Sequence, residues 1–478
     1  MLTNETFRNQ AHQVVDWIAD YLENIQQYPV KPSIAPGALR AALPDEAPQS
    51  GEAMDDIWKD FLNMIVPGIT HWQHPGFMAL FPSNASYPGI LGEIAVSGLG
   101  INAMMWDTSP SATELEQTVM EWLRKATGLP DGMLGVIHDT ASMSTLTAII
   151  SARERYAQFQ VNQHGFHGYD KLVMYCTDQT HYSIEKGAKA AGIGAAQVKK
   201  IATDDAHAMI ATALTKQIAE DKAAGLQPFM VVATLGTTST LAFDPLEGIG
   251  NICVEHKLWL HVDAAYAGSA FFLNEYRHFL QGIDHADSYV FNAHKWLFTN
   301  FDCSCYFVKD ANHLINTFSA NPDYLKRTEE SVAMFKDWGI PLGRRFRALK
   351  LWFVLRNYGI SGIQELLRKH IDIATNFRNQ LLSDTQWELM APPVMNMFCV
   401  RYHPQGINDN EALNALNTAL LKSINADGNY YLSGTIVKGM YMIRVVMGQT
   451  HLEQVHADGL LALMRSSANS INDFKALR

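Results

Sequence analysis

Apolar side chains recur about every 3.6 residues between positions 4 and 27, which predicts an N-terminal helix. A proline-rich link follows over 29–48 and is expected to run extended over a surface. Positions 109–129 predict a second helix, because Pro110 suits its first turn and Glu114 suits its positive end. The first helix and the link pack poorly alone, so we expect this arm to dock on a partner subunit.

Short apolar runs alternate with helical stretches in the middle of the chain. The runs cover 171–176, 229–235, 258–262 and 288–291. Such alternation predicts an α/β fold, in which a mostly parallel sheet is flanked by helices.

Beyond position 350 a helix leads into a smaller α+β part, whose best strands are 390–402 and 440–447. We find no internal repeat and no low-complexity segment. The predicted division is an N-terminal helical arm, a large domain and a small C-terminal α+β domain: 1–85, 86–365 and 366–478.

The composition is that of a folded protein with a sizeable core, since 47% of the 478 residues are apolar and 18% are charged. Acidic side chains outnumber basic ones by 48 to 37, and no basic stripe stands out, which argues against a nucleic-acid partner. The start MLTNETFRNQ is polar, and no apolar stretch has the length of a membrane helix. We therefore expect neither a secretory signal nor a membrane partner.

The five cysteines are scattered and odd in number, which suits reduced thiols in a cytoplasm. Cys303 and Cys305 could form half of a metal site, but a second pair is missing and both lie in an apolar, strand-like run. His71 and His74 lack the glutamate and the spacing of a zinc motif. The prediction is buried thiols and no metal.

Polar side chains follow three of the predicted strands, where ligands of open parallel sheets bind. A hydroxyl pair, a carboxylate and a group containing an amine stand there, namely Thr237 and Thr238, then Asp263, then Asn292, His294 and Lys295. Because the carboxyl ends of parallel strands meet at one edge of a sheet, we expect these side chains at one crevice.

Lys295 lies among large apolar neighbours, including Phe291, Trp296 and Phe298. Most lysines are solvated surface charges, and that is the ordinary interpretation. An ammonium group is costly to bury among such neighbours. A desolvated lysine has a lowered pKa, so its amine can attack a carbonyl and form a Schiff base.

Asp263 precedes Lys295 by enough residues for one helix and one strand. A carboxylate that closes a strand can simply cap the next helix. Pyridoxal 5'-phosphate, however, acts as an electron sink only with a protonated ring nitrogen, and a fixed carboxylate supplies that beside a Schiff-base lysine. The pair therefore predicts pyridoxal 5'-phosphate as the cofactor.

Small and hydroxyl residues, Thr140, Ala141 and Ser142, stand between a predicted strand and a predicted helix. A helix N-terminus of this kind binds anions through backbone N–H groups. An ordinary N-cap by Thr140 or Ser142 is the alternative. No glycine-rich nucleotide motif stands in such a position, so the phosphate of the predicted cofactor is favoured over a nucleotide.

Several motifs in order resemble the pyridoxal-phosphate-dependent aromatic-L-amino-acid decarboxylase family (group II). They are HWQHPGFMALFPSN, SPSATELE, DQTHYS, VVATLGTTST, WLHVDAAYAGSA, NAHKW and PLGRRFRALKLWF, and they begin at positions 71, 109, 178, 231, 259, 292 and 341. The similarity extends from the first helix to about position 370 and is looser beyond it.

The resemblance implies a type I, aminotransferase-like fold and a homodimer with shared active sites. It implies that Lys295 carries the cofactor, that Asp263 holds the pyridine nitrogen and that His181 stacks on the ring. Without the family, a lone histidine after a strand is more often packed or solvated. The other implied cofactor positions are Ala141, Ser142, Thr238, Ala265, Asn292 and His294. The implied substrate positions are Trp72, Leu80, Phe81, Ser83, Asn102, Met104, His181 and Gly343, with Asn102 and Met104 contributed by the neighbouring subunit.

Three positions depart from the family, which often has an aromatic residue at Leu80 and larger apolar groups at Asn102 and Met104. Gly343 stands where relatives carry Gly or Ser, and in plant relatives Gly accompanies indole substrates and Ser accompanies phenolic ones. A missing side chain leaves room for a second ring. A backbone requirement at a loop-to-helix junction explains the glycine equally well.

The implied activity is decarboxylation of an aromatic L-amino acid to its amine and carbon dioxide. In the family a tyrosine at the position of Tyr324 belongs to decarboxylases, in which it donates a proton, whereas aldehyde-forming relatives tend to have phenylalanine. The charged stretch around Tyr324 is expected to be a lid, and a surface anchor is the alternative. Oxidative deamination to an aldehyde and non-catalytic cofactor binding are the competing functions.

Overall fold

The structure, a computed structural model, describes residues 2–320 and 332–476, with side chains as far as position 471. Its larger sheet has seven strands in the order β1-β7-β6-β5-β4-β2-β3. The strands are β1 Leu134–His138, β2 Leu172–Thr177, β3 Val198–Ile201, β4 Gln227–Thr234, β5 Trp259–Asp263, β6 Ser288–Asn292 and β7 Ser304–Val308. Only β7 runs antiparallel to its neighbours, so the prediction of a mostly parallel sheet is confirmed.

Helices cover both faces of this sheet, because successive strand residues alternate between two apolar clusters. On β4, Val231 and Ala233 belong to one cluster, whereas Met230 and Val232 belong to the other. The helices up to the end of the large sheet are α1 Asn4–Glu23, α2 Ala38–Ala42, α3 Met54–Asp60, α4 Tyr87–Leu99, α5 Pro110–Thr127, α6 Ala141–Tyr156, α7 Gln160–His164, α8 Ser183–Ala190, α9 Ala211–Ala223, α10 Leu246–His256, α11 Ala293–Trp296 and α12 Ala311–Phe318.

A four-stranded antiparallel sheet forms the C-terminal part, in the order β10-β11-β9-β8. Its strands are β8 Trp387–Leu389, β9 Met397–Tyr402, β10 Ser433–Val437 and β11 Met440–Val446, with the helices α13 Arg347–Leu382, α14 Asn410–Ala426 and α15 Gln454–Ala476. Helix α13 is interrupted at Gly359, whose φ of 65° interrupts the helical backbone. The three proposed domain boundaries stay predictions, and α13 crosses the second of them.

The long strand predicted over 390–402 is wrong, because 390–396 forms the turn between β8 and β9 and only 397–402 is strand. Pro392 and Pro393 have no N–H to donate to a ladder, and Met395 takes a left-handed backbone with φ 58°. Sequence reasoning also missed β3 and β10, which are short, partly exposed edge strands. The predicted helix starting at Pro110 is confirmed, with the proline in the first turn.

The five cysteines are free and buried, as predicted. Among the described residues, no helix is both long enough and apolar enough to span a membrane. Strands β5 and β6 are buried along their whole length, and both end in polar residues at the same edge of the sheet. This edge carries the chemistry that follows.

Candidate active site

A cavity of about 190 Å³ opens at the carboxyl ends of β4, β5 and β6. It brings together ten of the predicted positions: Phe81, Ala141, Ser142, His181, Thr238, Asp263, Ala265, Asn292, His294 and Lys295. A larger cavity of about 710 Å³ lies at the opposite edge of the sheet and contains none of them. The site therefore lies where the strand ends converge and not in this larger opening.

Lys295 stands on the single turn of α11, directly after β6. Asn84 holds this turn, since its Nδ2 donates to the carbonyl oxygens of Lys295 and Gly448, both at 2.7 Å. Lys295 Nζ lies 5.0 Å from the ring centroid of Phe81. Burial lowers the pKa of Lys295 to about 8, although the nearby Asp263 carboxylate acts in the opposite direction. A larger fraction of its amine is therefore unprotonated near neutral pH than for a solvated lysine.

Asp263 closes β5 and is 4% exposed. One of its oxygens, Oδ1, accepts the backbone N–H of Ala265 at 2.9 Å. This bond fixes the carboxylate and leaves the second oxygen, Oδ2, without a recorded donor among the described residues. Asp263 can therefore hold a cationic N–H group in the cavity.

His181 is oriented by Ser183, whose backbone N–H donates to Nδ1 at 3.3 Å and whose hydroxyl lies 2.8 Å from the same atom. Because Nδ1 accepts, the neutral ring carries its proton on Nε2. Burial lowers the pKa of His181, and the charge of Lys295 adds to the lowering. The ring is therefore neutral at neutral pH and presents a flat, partly buried surface to the cavity.

Unsatisfied polar groups line the same cavity. Neither Asn292 Oδ1 nor Thr234 Oγ1, both buried, has a hydrogen-bond partner among the described residues. At the start of α6, Thr140 is the N-cap without a side-chain cap bond, and the N–H groups of Ala141 and Ser142 have no recorded acceptor in the described chain. Buried polar groups normally have partners, so this lining fits a polar, anionic ligand such as pyridoxal 5'-phosphate.

Stacked aromatic rings form the wall beside Lys295. Phe81 lies 3.9 Å from Tyr266 between centroids, with the planes 13° apart, and Tyr266 lies 5.2 Å from Trp296. The Tyr266 hydroxyl accepts from Asn396 Nδ2 at 2.7 Å. The stack keeps this wall rigid and apolar next to the amine.

The prediction that Thr237 and Thr238 both face the crevice is wrong for Thr237. Thr237 is fully buried, and its hydroxyl accepts the N–H of Ala242 at 2.9 Å and pairs with Thr240. It therefore stabilises the turn after β4, and only Thr238 lines the cavity. Gly236 forms this turn with φ 88°, and a Cβ there would meet the Ala267 side chain at 2.8 Å.

Three predicted substrate positions lie in the segment before α4 but do not line the cavity. Trp72 stacks on Phe77, with the centroids 4.4 Å apart. Leu80 is 44% exposed with φ 51°, and the Ser83 carbonyl accepts from Gln73 Nε2 at 2.6 Å.

The remaining substrate positions, Asn102, Met104 and Gly343, lie together elsewhere. Asn102 Oδ1 accepts the N–H of Arg344 at 2.9 Å, and its Nδ2 lies 3.6 Å from Met104 Sδ. Gly343 lines a separate cavity of about 240 Å³. Tyr324 lies outside the described residues.

Gly343 does not need to be a glycine for backbone reasons. Its φ is not in the left-handed region, and a Cβ would have only Asn102 Nδ2 within 4 Å, at 3.7 Å. The structure therefore shows no backbone requirement for a glycine at this position.

Sequence reasoning missed Asn84, Ser183, Tyr266 and Arg444 as parts of the site. Asn84 and Tyr266 stand inside quoted motifs, at PSN and DAAYAG, but nothing in the chain itself indicated their contacts. Asn84 accepts the N–H of Thr450 at 3.0 Å, across most of the chain.

Comparison with known proteins agrees with the geometry. A family model described as the pyridoxal-dependent decarboxylase conserved domain matches residues 36–403. The chain is 42% identical to tyrosine decarboxylase 2 of Narcissus pseudonarcissus, covering 95% of this chain and 92% of that protein. It is 41% identical to phenylacetaldehyde synthase of Petunia hybrida, covering 98% and 95%. The crystal structure of Catharanthus roseus tryptophan decarboxylase in complex with L-tryptophan matches with a TM-score of 0.92 and 39% identity, covering 98% and 99%.

Replacing Asn84 by alanine should destabilise the protein and loosen the turn that carries Lys295. The change leaves buried carbonyl and N–H groups without partners, so we expect the free energy of unfolding to fall by about 3 kcal/mol. Urea unfolding measures this. Asn376→Ala, at an exposed position of α13, is the control and should change stability by less than about 0.5 kcal/mol. Equal effects of the two substitutions would contradict the role of Asn84.

Proposed function

Because the chain belongs to the pyridoxal-dependent decarboxylase family, we propose that it converts aromatic L-amino acids into their amines and carbon dioxide. Its cofactor is pyridoxal 5'-phosphate, and its class is that of the amino-acid carboxy-lyases. The observation that supports the proposal most directly is the pair of Lys295 and Asp263 in one cavity, with the pKa of the lysine lowered to about 8. The relatives named above act on tyrosine and tryptophan, which supports the aromatic substrate class.

The cofactor, when bound, supplies an electron sink for the pair released as the carboxylate leaves. Lys295 attaches it, Asp263 keeps its ring nitrogen protonated, and the N–H groups of Ala141 and Ser142 bind its phosphate. The side chains proposed to complete the cofactor site are Thr238, Ala265, Asn292 and His294. Burial and the charge of Lys295 lower the pKa of His294 to about 3, so His294 stays neutral and does not compete with Lys295 for an anion.

His181 is proposed to cover the cofactor ring. The N–H of Ser183 holds its Nδ1 as an acceptor, so the proton stays on Nε2, and the lowered pKa keeps the ring uncharged. Lys295 Nζ exchanges a proton readily, because its pKa lies close to neutral pH. The Phe81, Tyr266 and Trp296 stack excludes water from the side of the amine.

The substrate side chain is proposed to lie between two subunits of a homodimer. Asn102, Met104 and Gly343 lie together outside the Lys295 cavity, so a shared site requires a neighbouring copy to bring them to it. Large apolar side chains on α4 are exposed, including Leu91 at 56% and Leu99 at 58%, as expected for a surface that a second copy covers. Trp72, Leu80, Phe81 and Ser83 are proposed as the contribution of the same subunit.

Five free, buried thiols support a reducing compartment, and we propose the cytoplasm.

Aldehyde formation is the second candidate, because one relative is a phenylacetaldehyde synthase with 41% identity. Tyr324 favours the decarboxylase, since a phenol in this position can donate the proton that completes amine formation. Non-catalytic cofactor binding is not favoured, because the lysine, the carboxylate and the phosphate-binding helix start are all present in one cavity.

Lys295→Ala should abolish amine formation, with a fall of about 1000-fold or more, because no other described residue that lines the cavity carries an amine to attach the cofactor. Borohydride should fix the cofactor to Lys295 in the unchanged protein and not in the variant, as peptide mass spectrometry can measure. Lys186→Ala, at an exposed lysine, is the control and should keep both properties. Undiminished amine release by Lys295→Ala would refute the assignment.

Gly343→Ser should shift selectivity away from indole substrates, because the new side chain takes the space of the second ring. We expect the ratio of kcat/KM for tryptophan to that for tyrosine to fall about 10-fold. Thermal unfolding should not change, since the added Cβ meets only Asn102 Nδ2 at 3.7 Å.

Gly362→Ser on α13 is the matched control, because its Cβ likewise has one neighbour at 3.7 Å. An unaltered substrate ratio in Gly343→Ser would exclude Gly343 from the substrate pocket.

Light scattering tests the dimer that the shared pocket requires, and a mass equal to that of one 53.3 kDa chain would contradict it.

Tyr324→Phe should lower the amine yield and raise aldehyde, ammonia and hydrogen peroxide, because the phenol proton is removed. The unchanged protein should form amine with little oxygen uptake. An oxygen electrode beside chromatographic amine assay measures both products. Oxygen uptake by the unchanged protein in step with substrate loss would favour the aldehyde synthase instead.

A further inference from the structure

Arg444 is a buried guanidinium to which the described residues offer no carboxylate partner. It stands on β11 with 4% of its surface exposed. Its three nitrogens donate to neutral acceptors, namely Ser433 Oγ at 2.8 Å, the Ser239 carbonyl at 3.2 Å and the Leu80 carbonyl at 3.4 Å. Within 2–320 and 332–476 it forms no ion pair. An uncompensated buried cation is costly, which points to a task for the charge.

Phe81 lies beside both this guanidinium and the amine of Lys295. The guanidinium carbon is 5.5 Å from the centroid of the Phe81 ring, and Lys295 Nζ is 5.0 Å from the same centroid. The two cations are therefore at most about 10 Å apart, a distance at which charges interact appreciably in a protein interior. The ring also excludes water from the space that it occupies, so solvent screens the interaction weakly.

At the amine of Lys295, the positive charge of Arg444 acts against the negative charge of Asp263. The titratable or charged groups that face Lys295 come from four elements and are Asp263, Tyr266, His181, His294 and Arg444. Burial lowers the pKa of both histidines and raises the pKa of Tyr266, so these three are neutral at neutral pH. Burial also raises the pKa of Cys399, which lies opposite Arg444 on β9, to about 12. Among the described residues, Asp263 and Arg444 are thus the two charges that act on the lysine.

We propose that Arg444 is a positioning residue that acts through its charge, opposing Asp263 and favouring the uncharged amine of Lys295. The uncharged amine adds to the aldehyde carbon of the cofactor, and water leaves. The inference rests on the proposed role of Lys295. Two of these three hydrogen bonds hold the Leu80 and Ser239 backbones beside the cavity, so the residue joins the second sheet to the site. The pKa of Lys295 is lowered first by burial, and Arg444 adds to this lowering.

The test is the pH dependence of cofactor capture by the full-length protein freed of cofactor. The rate is read from the visible absorbance that develops when pyridoxal 5'-phosphate is added, and it rises with pH as the amine loses its proton. Arg444→Met removes the charge and should move the midpoint of this rise upward by about one pH unit. Arg444→Lys keeps the charge and should leave the midpoint in place. A midpoint in Arg444→Met equal to that of the unchanged protein overturns the proposal.

A second pair of variants tests the charge with Arg444 in place. Ser433 is partly buried, and its Oγ accepts from Arg444 Nη1. Ser433→Asp puts a carboxylate beside the guanidinium and should raise the midpoint, whereas Ser433→Asn, of the same shape and neutral, should not. Equal midpoints in these two variants overturn the proposal even if Arg444→Met does not fold. Failure of the proposed function is distinct, because borohydride would then leave Lys295 unmodified in the unchanged protein.

Discussion

At the carboxyl end of the parallel sheet, an amine and a carboxylate are buried in the same cavity. Strands β5 and β6 are neighbours, with Asp263 opposite Val290, so Asp263 and the turn that carries Lys295 reach the same edge. Each charge would be costly there alone. The two neighbouring histidines are kept neutral, since burial lowers the pKa of His181 and His294. Burial of the amine near its counter-charge gives it a pKa close to neutrality, and the reactivity of the site depends on that balance.

The segment before α4 connects this edge to the second sheet. Its backbone is hydrogen-bonded there, with Met78 N–H to the Tyr431 carbonyl at 3.0 Å and Val446 N–H to the Met78 carbonyl at 3.0 Å. Gly76 permits the close approach, because a Cβ would lie 2.0 Å from the Asn429 carbonyl oxygen. The same segment then delivers Phe81 and Asn84 to Lys295. The wall beside the lysine therefore depends on the packing of the C-terminal sheet.

The sequence predicted those features of the site that depend on a local pattern of residues. Asp263 and Lys295 were found because each follows a buried strand, and parallel strands bring such ends together. Thr237 followed the same rule and failed, because its hydroxyl is used inside a turn. Asn84 and Arg444 could not be found, since their partners lie hundreds of positions away and no periodicity records a side-chain contact of that range. The prolines at the Pro392 turn indicate a break, but the apolar residues around them led to the prediction of one continuous strand.

The groups proposed to carry out the reaction and those proposed to select the substrate lie in different parts of the structure. The Lys295 cavity holds the groups that a decarboxylation needs, and the positions that depart from the family, Leu80, Asn102 and Met104, do not line it. Gly343 likewise has open space around it, so a side chain can be added there without moving the strands that hold Asp263 and Lys295. On the proposed assignment, a substitution at these outer positions changes the shape that meets the substrate ring while the buried charge pair stays as it is. Relatives of about 40% identity with different named substrates are what this separation permits.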